Sequence, residues 1–208
     1  MSSSIIFCHS RAFPLLLSSL VATAVAAAAA SPTVVRDWTQ LRAAIEHTPQ
    51  PGSPLSLTLP KGAVINASLG GHIAIKGVSV TLHGNGSTLD AFGLASLFWL
   101  DDNANLTLTG PLVLRNGSSN PSAPYCEGGA IRVINGRLDA TKVAFVTNRG
   151  GIANSHVGAV SFSTAACNAA KQPHCVSSGK FTDCTFASNF ASTSGGAVDV
   201  GTDGQASF

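Results

Sequence analysis

Gly128-Gly129-Ala130-Ile131-Arg132-Val133 recurs as Val157-Gly158-Ala159-Val160-Ser161-Phe162 and again as Gly195-Gly196-Ala197-Val198-Asp199-Val200. Between the copies runs a second phrase, Phe145-Val146-Thr147-Asn148, repeated as Phe186-Ala187-Ser188-Asn189. Two phrases returning in alternation mark a repeat architecture, in which each passage of the chain stacks on the last. The stretch from Val157 to Phe186 is longer than the one from Gly128 to Phe145. The excess fits an insertion at 165–176, where the pattern lapses into Cys167-Asn168-Ala169-Ala170-Lys171-Gln172-Pro173-His174-Cys175.

Within the first phrase Ile131 and Val133, Val160 and Phe162, and Val198 and Val200 alternate, the period of a strand with one buried face. Arg132, Ser161 and Asp199 then point outward. The glycines before them (Gly128, Gly129, Gly158, Gly195, Gly196) suit a tight corner with no room for a Cβ or with positive φ. In the second phrase Phe145 and Phe186 stack inward, and Asn148 and Asn189 fit a bend, since asparagine bonds local backbone and tolerates left-handed geometry. Val113-Leu114-Arg115-Asn116 reads as a worn copy. Asn116, Asn148 and Asn189 are therefore expected to form a ladder with about 4.8 Å per layer. A structural role for them outweighs ligand binding.

The Gly-Gly-Ala-Ile/Val and Phe-x-x-Asn phrases resemble the repeat of the polymorphic outer membrane protein family and, more broadly, the right-handed parallel β-helix of the pectin-lyase-like superfamily. The resemblance covers about 37–208. It implies a right-handed parallel β-helix, a solenoid, and hence an all-β fold. The first family implies surface adhesins, and the wider superfamily includes pectate lyases and polygalacturonases. Fold alone does not choose between them. Asn-Gly pairs at 85–86, 116–117 and 135–136 keep an antiparallel sandwich as the rival fold.

The chain is long enough for one domain plus a targeting segment. Residues 1–30 carry one basic side chain, Arg11, no acid, and an apolar run ending in Ala28-Ala29-Ala30. This reads as a cleaved secretory signal peptide; an uncleaved anchor or a transit peptide are the rivals. Export agrees with the cysteines, because loss of Cys8 leaves four: Cys126, Cys167, Cys175 and Cys184. Two disulfides have three possible connectivities; Cys167–Cys175, closing the insertion, and hence Cys126–Cys184 are favoured. Cys184 as a plain buried thiol is the alternative, and zinc held with His156 and His174 a weaker one, since no Cys-x-x-Cys pair exists. Four sequons (Asn66, Asn85, Asn105, Asn116) are glycosylation candidates in an exported eukaryotic chain, Asn66 and Asn85 above the others.

Residues 31–54 read as an N-terminal cap and linker. Asp37 caps a helix with apolar positions Trp38, Leu41, Ala44 and Ile45, laid across the open first layer. From Leu55 onward, short alternating runs (55–59, 63–66, 73–75, 78–82, 88–90, 97–100, 106–110) separated by Gly/Asn corners build the β-helix to 208. The last copy stops in mid-layer, which suggests that the β-helix continues or that a partner covers its end.

Charged residues are 11% of the chain and the formal net charge is +2. No Lys/Arg cluster forms a basic stripe, which argues against nucleic acid. Polysaccharide hydrolases need a paired acid and base, and lyases a calcium site with a proton-accepting base. Asp101-Asp102 is the only adjacent pair of acids, and no nucleophile–base pairing stands out. No catalytic residue, metal or cofactor is assigned. The reading is an exported, non-catalytic cell-surface or extracellular β-helix, glycan-binding or structural, meeting a membrane only through the signal segment or a missing C-terminal region. The rival is a polysaccharide lyase or glycoside hydrolase whose catalytic layers are missing or degenerate.

Overall fold

The computed structural model describes residues 31–47, 54–67, 71–119, 128–150, 158–163, 176–191, 195–201 and 204–208. In chain order these contain β1 (Thr33–Val34), α1 (Trp38–Glu46), β2 (Pro54–Thr58), β3 (Val64–Asn66), β4 (Ile73–Lys76), β5 (Ser79–His83), β6 (Ser87–Asp90) and β7 (Phe98–Asp101). There follow β8 (Ala104–Arg115), β9 (Ile131–Val133), β10 (Gly136–Val146), β11 (Val160–Phe162), β12 (Ser177–Thr182), β13 (Thr185–Ala187), β14 (Val198–Val200) and β15 (Gly204–Ser207). The signal-peptide segment lies outside the described residues.

The fold is all-β apart from α1, and every strand pair among the described residues is parallel. One sheet runs β1-β2-β5-β8-β10-β12-β15. β3 and β6 pair with each other, β6 with the second half of β8, and β13 with the second half of β10. The other sheet runs β4-β7-β9-β11-β14. Each strand thus lies beside its counterpart from the next passage of the chain. Ile131 faces Val160 in parallel register, which rules out the hairpins of an antiparallel sandwich. Asn85 and Gly86 do turn the chain, at φ 51° and 78°. They deliver it into β6, however, which pairs with β3 and β8 and not back onto β5.

Register collects like residues into inward rows, buried except at the end of two of them, where Phe186 is half-buried and Val200 exposed. Leu57, Leu82, Leu108, Ala140 and Phe181 form one. Ile65, Leu89, Leu114, Phe145 and Phe186 form another. Ile75, Leu100, Val133, Phe162 and Val200 form a third. The expected aromatic stacking is present: Phe145 and Phe186 lie with ring centres 4.8 Å apart and planes at 5°. Both long strands carry their alternation past a corner. In β10, Lys142 at φ 57° stands alone between Thr141 and Val143, where β8 has two residues, Gly110 and Pro111, between Thr109 and Leu112. The register shifts by one there, the extra residue bulging from β8.

Asp37 caps α1 as expected, accepting from Gln40 N at 2.8 Å and so satisfying one of the free amides of the first turn. Trp38, Leu41 and Ile45 are buried, with the Trp38 ring 5.8 Å from Phe98. The helix thereby covers β4, the outer strand of its sheet, while β1 covers β2. At the opposite end β14 and β15 are the outermost strands, and Val200, Phe190 and Phe208 are exposed there.

Three local expectations are corrected. Arg132 and Ser161 do sit in the outward column, with Trp99 below and Asp199 above, but both are buried. Arg132 lies over the Trp99 ring, and the Gly128 amide donates to Ser161 Oγ at 3.0 Å. Alternation says which side of a sheet a residue takes, not whether that side meets water. Second, the asparagine ladder has two rungs. Asn148 Nδ2 donates to Asn189 Oδ1 at 3.0 Å, and Asn148 and Asn189 donate to Leu114 O and Phe145 O. Asn116 is displaced by one: Leu114, not Val113, faces Phe145, so Gly117 takes the ladder position and donates to Asn148 Oδ1. Third, the left-handed residues of this corner are Asn116, Thr147 and Ser188, one before the ladder.

Neither Gly129 nor Gly158 has positive φ. Each is small because the neighbouring layer's backbone occupies the space a Cβ would need, the close-approach use of glycine.

Candidate functional site: a polar face across the long sheet

Outward side chains of the long sheet form three columns. The first holds Ser79, Asn105, Arg137, Ser178 and Gln205. The second holds Ser56, Thr81, Thr107, Asp139, Lys180 and Ser207. The third holds Thr58, His83, Thr109, Thr141 and Thr182. Parallel pairing puts neighbours in a column about 4.8 Å apart. The result is a continuous band of hydroxyls and amides with its ionic groups gathered on β10 and β12.

A groove of about 300 Å³ opens over that ionic part, lined by Arg137, Asp139, Ser178, Lys180, Gln205 and Ser207. A second of about 190 Å³ adjoins it, sharing Arg137, Asp139 and Lys180 and reaching Thr141 and Thr182. Arg137 Nε donates to both Asp139 oxygens, at 3.1 and 2.9 Å. Residues two apart on one strand share a face, so the sequence Arg137-Leu138-Asp139 places this pair unaided. Lys180 reaches the same spot only by register. Asp139 is the single carboxylate of the lining, and it is already ion-paired. Hydrolytic cleavage needs an acid and a base on opposite sides of the bond, and this groove does not supply them. Among the described residues no group of three or more His, Cys, Asp or Glu side chains comes together to hold a metal.

Nearer the cap, Ser56 Oγ lies 3.2 Å from His83 Nε2, and His83 Nδ1 lies 2.9 Å from Thr109 Oγ1. A serine beside an imidazole is the start of an acyl-transfer constellation. Here the third partner is a hydroxyl where such sites place a carboxylate, so an imidazolium would lack its counter-charge. The row instead links β2, β5 and β8. Sequence reading missed it because its members stand 27 and 26 residues apart, one passage each.

On the other sheet the His72 ring stacks on Trp99 at 3.8 Å and 11°, and Arg132 lies 5.0 Å from the same indole. Arg42 donates to the carbonyls of Gly71 and His72, tying this stack to α1. Burial first, then the positive charges of Arg42, Arg132 and Lys76, pushes the His72 pKa down to about 4, since each disfavours the charged imidazolium. The unfolded chain therefore binds this proton more readily, so stability is full above about pH 6.5 and falls as pH drops towards 4. Full burial would make that about 3 kcal/mol, and the ring's partial exposure reduces it to roughly 1–2 kcal/mol. Urea unfolding of the wild type should show this loss between pH 7 and 4, and His72→Phe, which keeps an aromatic stack, should show less. Equal slopes would refute it.

Asp90 anchors the corner after β6. Burial alone would raise its carboxyl, but donors from Asn116, Phe92 N and Arg115 outweigh this and hold it below the usual value, because they favour the charged form. Asn116, a glycosylation candidate, thus directs its amide at a buried carboxylate and is half-buried, whereas Asn66, Asn85 and Asn105 are exposed. Cys184 is a half-buried free thiol with Sγ 3.4 Å from Ala140 O. Cys126, Cys167, Cys175, His156 and His174 lie outside the described residues. No helix among the described residues is long and apolar enough to cross a membrane. Comparison of the chain with protein-family models, curated proteins and solved structures finds no match in any of the three.

Proposed function

We propose that this chain is an exported, right-handed parallel β-helix that binds glycans at the cell surface or outside the cell without cleaving them. Parallel pairing of each passage with the next supports the β-helix, and parallel crossovers in one sheet are nearly always right-handed. The pectin-lyase-like and polymorphic outer membrane protein resemblance of the repeats, the signal-like 1–30 segment and the exposed sequons support export. The observation that carries the binding role is the groove over β10, β12 and β15: polar, open, and with one carboxylate locked to Arg137.

The test is retention of the full chain, secreted from a eukaryotic host, on a panel of immobilised plant and microbial polysaccharides. At least one should retain it, and Arg137→Ala/Lys180→Ala should weaken retention by about tenfold or more at unchanged thermal stability. Release of reducing ends or unsaturated sugars would overturn the non-catalytic reading. Retention indifferent to both substitutions would overturn the groove.

A further inference from the structure

The groove's single carboxylate is paired to one of its two cations, and this selects among glycans. Resting on the glycan-binding reading above, we infer that the groove takes a neutral, hydroxyl-rich polysaccharide in preference to a polyanionic one. Arg137 Nε is committed to both oxygens of Asp139. Lys180 stands directly opposite Asp139 on the adjacent strand. The carboxylate is ion-paired to Arg137 and has a second cation opposite it on the neighbouring strand, and the three side chains carry one net positive charge. The remaining polar lining, Ser178, Gln205 and Ser207, is uncharged.

A polyuronate threaded here brings a carboxylate with every sugar. Arg137 Nε is already given to Asp139, so a uronate can bond Arg137 only through its Nη groups, and there it faces Asp139 as a like charge. A neutral sugar brings no such charge. Its hydroxyls both donate and accept, so one ring can donate to Asp139 while accepting from Lys180 and a serine. Along the stack the same two columns continue as Thr107 and Thr81, and as Asn105 and Ser79, with no further charge. An extended chain leaving the groove towards the cap meets hydroxyls and amides alone. Specificity here comes from the repulsive element as much as from the attractive ones.

Isothermal titration of the full chain with soluble mixed-linkage β-glucan, galactomannan and polygalacturonate, at low and high salt, tests this. One of the neutral polymers should bind about tenfold more tightly per site than polygalacturonate, with little salt dependence. Asp139→Asn, which keeps shape and removes the charge, should raise polygalacturonate affinity by a similar factor and so shrink or abolish the gap between polygalacturonate and the neutral polymers. Salt-sensitive binding of polygalacturonate at equal or higher affinity would overturn the neutral preference and leave glycan binding standing. No binding of any of the three, together with no retention on the immobilised panel, would remove the glycan-binding reading itself.

Discussion

Phe145→Ala is expected to lower the unfolding free energy by about 3–5 kcal/mol, the usual range for truncating a fully buried phenylalanine. Phe145 is completely buried. It stacks on Phe186 at 4.8 Å and meets Phe181 edge-on at 6.1 Å. The layers above and below are fixed by backbone pairing, so the vacated volume cannot close without breaking the ladder on both sides of β10. Against a typical total of about 5–15 kcal/mol, the loss is a large fraction. Urea denaturation reads it as a lower midpoint at unchanged slope. A double-mutant cycle with Phe186→Ala should return a coupling of about 0.5–1.5 kcal/mol for the stacked pair. A loss below about 1 kcal/mol for Phe145→Ala would mean that this row is not packed as described.

Gly129→Ala is expected to be comparably damaging, at about 3 kcal/mol or more, although it adds a single methyl group. A Cβ there would stand 2.6 Å from Arg149 N and 2.7 Å from both Arg149 O and Gly158 O. All three are backbone atoms held in interlayer hydrogen bonds, including Gly129 N to Gly158 O at 2.9 Å. Nothing there can rotate aside. The same position in the last copy is Gly196, where, among the described residues, a Cβ meets only Asn189 O at 3.3 Å. Gly196→Ala should therefore cost far less, within about 1 kcal/mol. Thermal or urea unfolding of the two variants side by side would expose a flaw in the stacking if both lost the same amount.

Much of this architecture was legible from local pattern. Alternation of apolar residues located most of the strands, since a period of two depends only on the pleat of the strand itself. β1, β12, β15 and the first half of β10 carry too little of that pattern and were not read as strands. Asp37 followed by Trp38, Leu41 and Ile45 located the cap helix for an equally local reason: a side chain closes the first turn and one stripe is apolar. The aromatic phrase placed Phe145 on Phe186 because identical units repeat. The ladder was misplaced at Asn116 because matching the letter Asn outweighed matching the inward residue, and Leu114, one place on from Val113, is what the core aligns with Phe145. Arg132 and Ser161 were assigned to the correct side of their sheet, yet solvent exposure depends on what lies over that side.

By itself the sequence determined which residues of a strand turn inward and where the helical cap lies, and the spacing Arg137-Leu138-Asp139 suffices to put that pair on one face, each set by residues within a few positions of one another. The tertiary structure alone decided the parallel register that brings Lys180 to Asp139, Ser56 to His83 and Trp99 beneath Arg132. Those partners are separated by a whole passage of chain whose length varies with its loops. Only the stacking of one layer on the next converts that variable distance along the chain into a fixed distance in space.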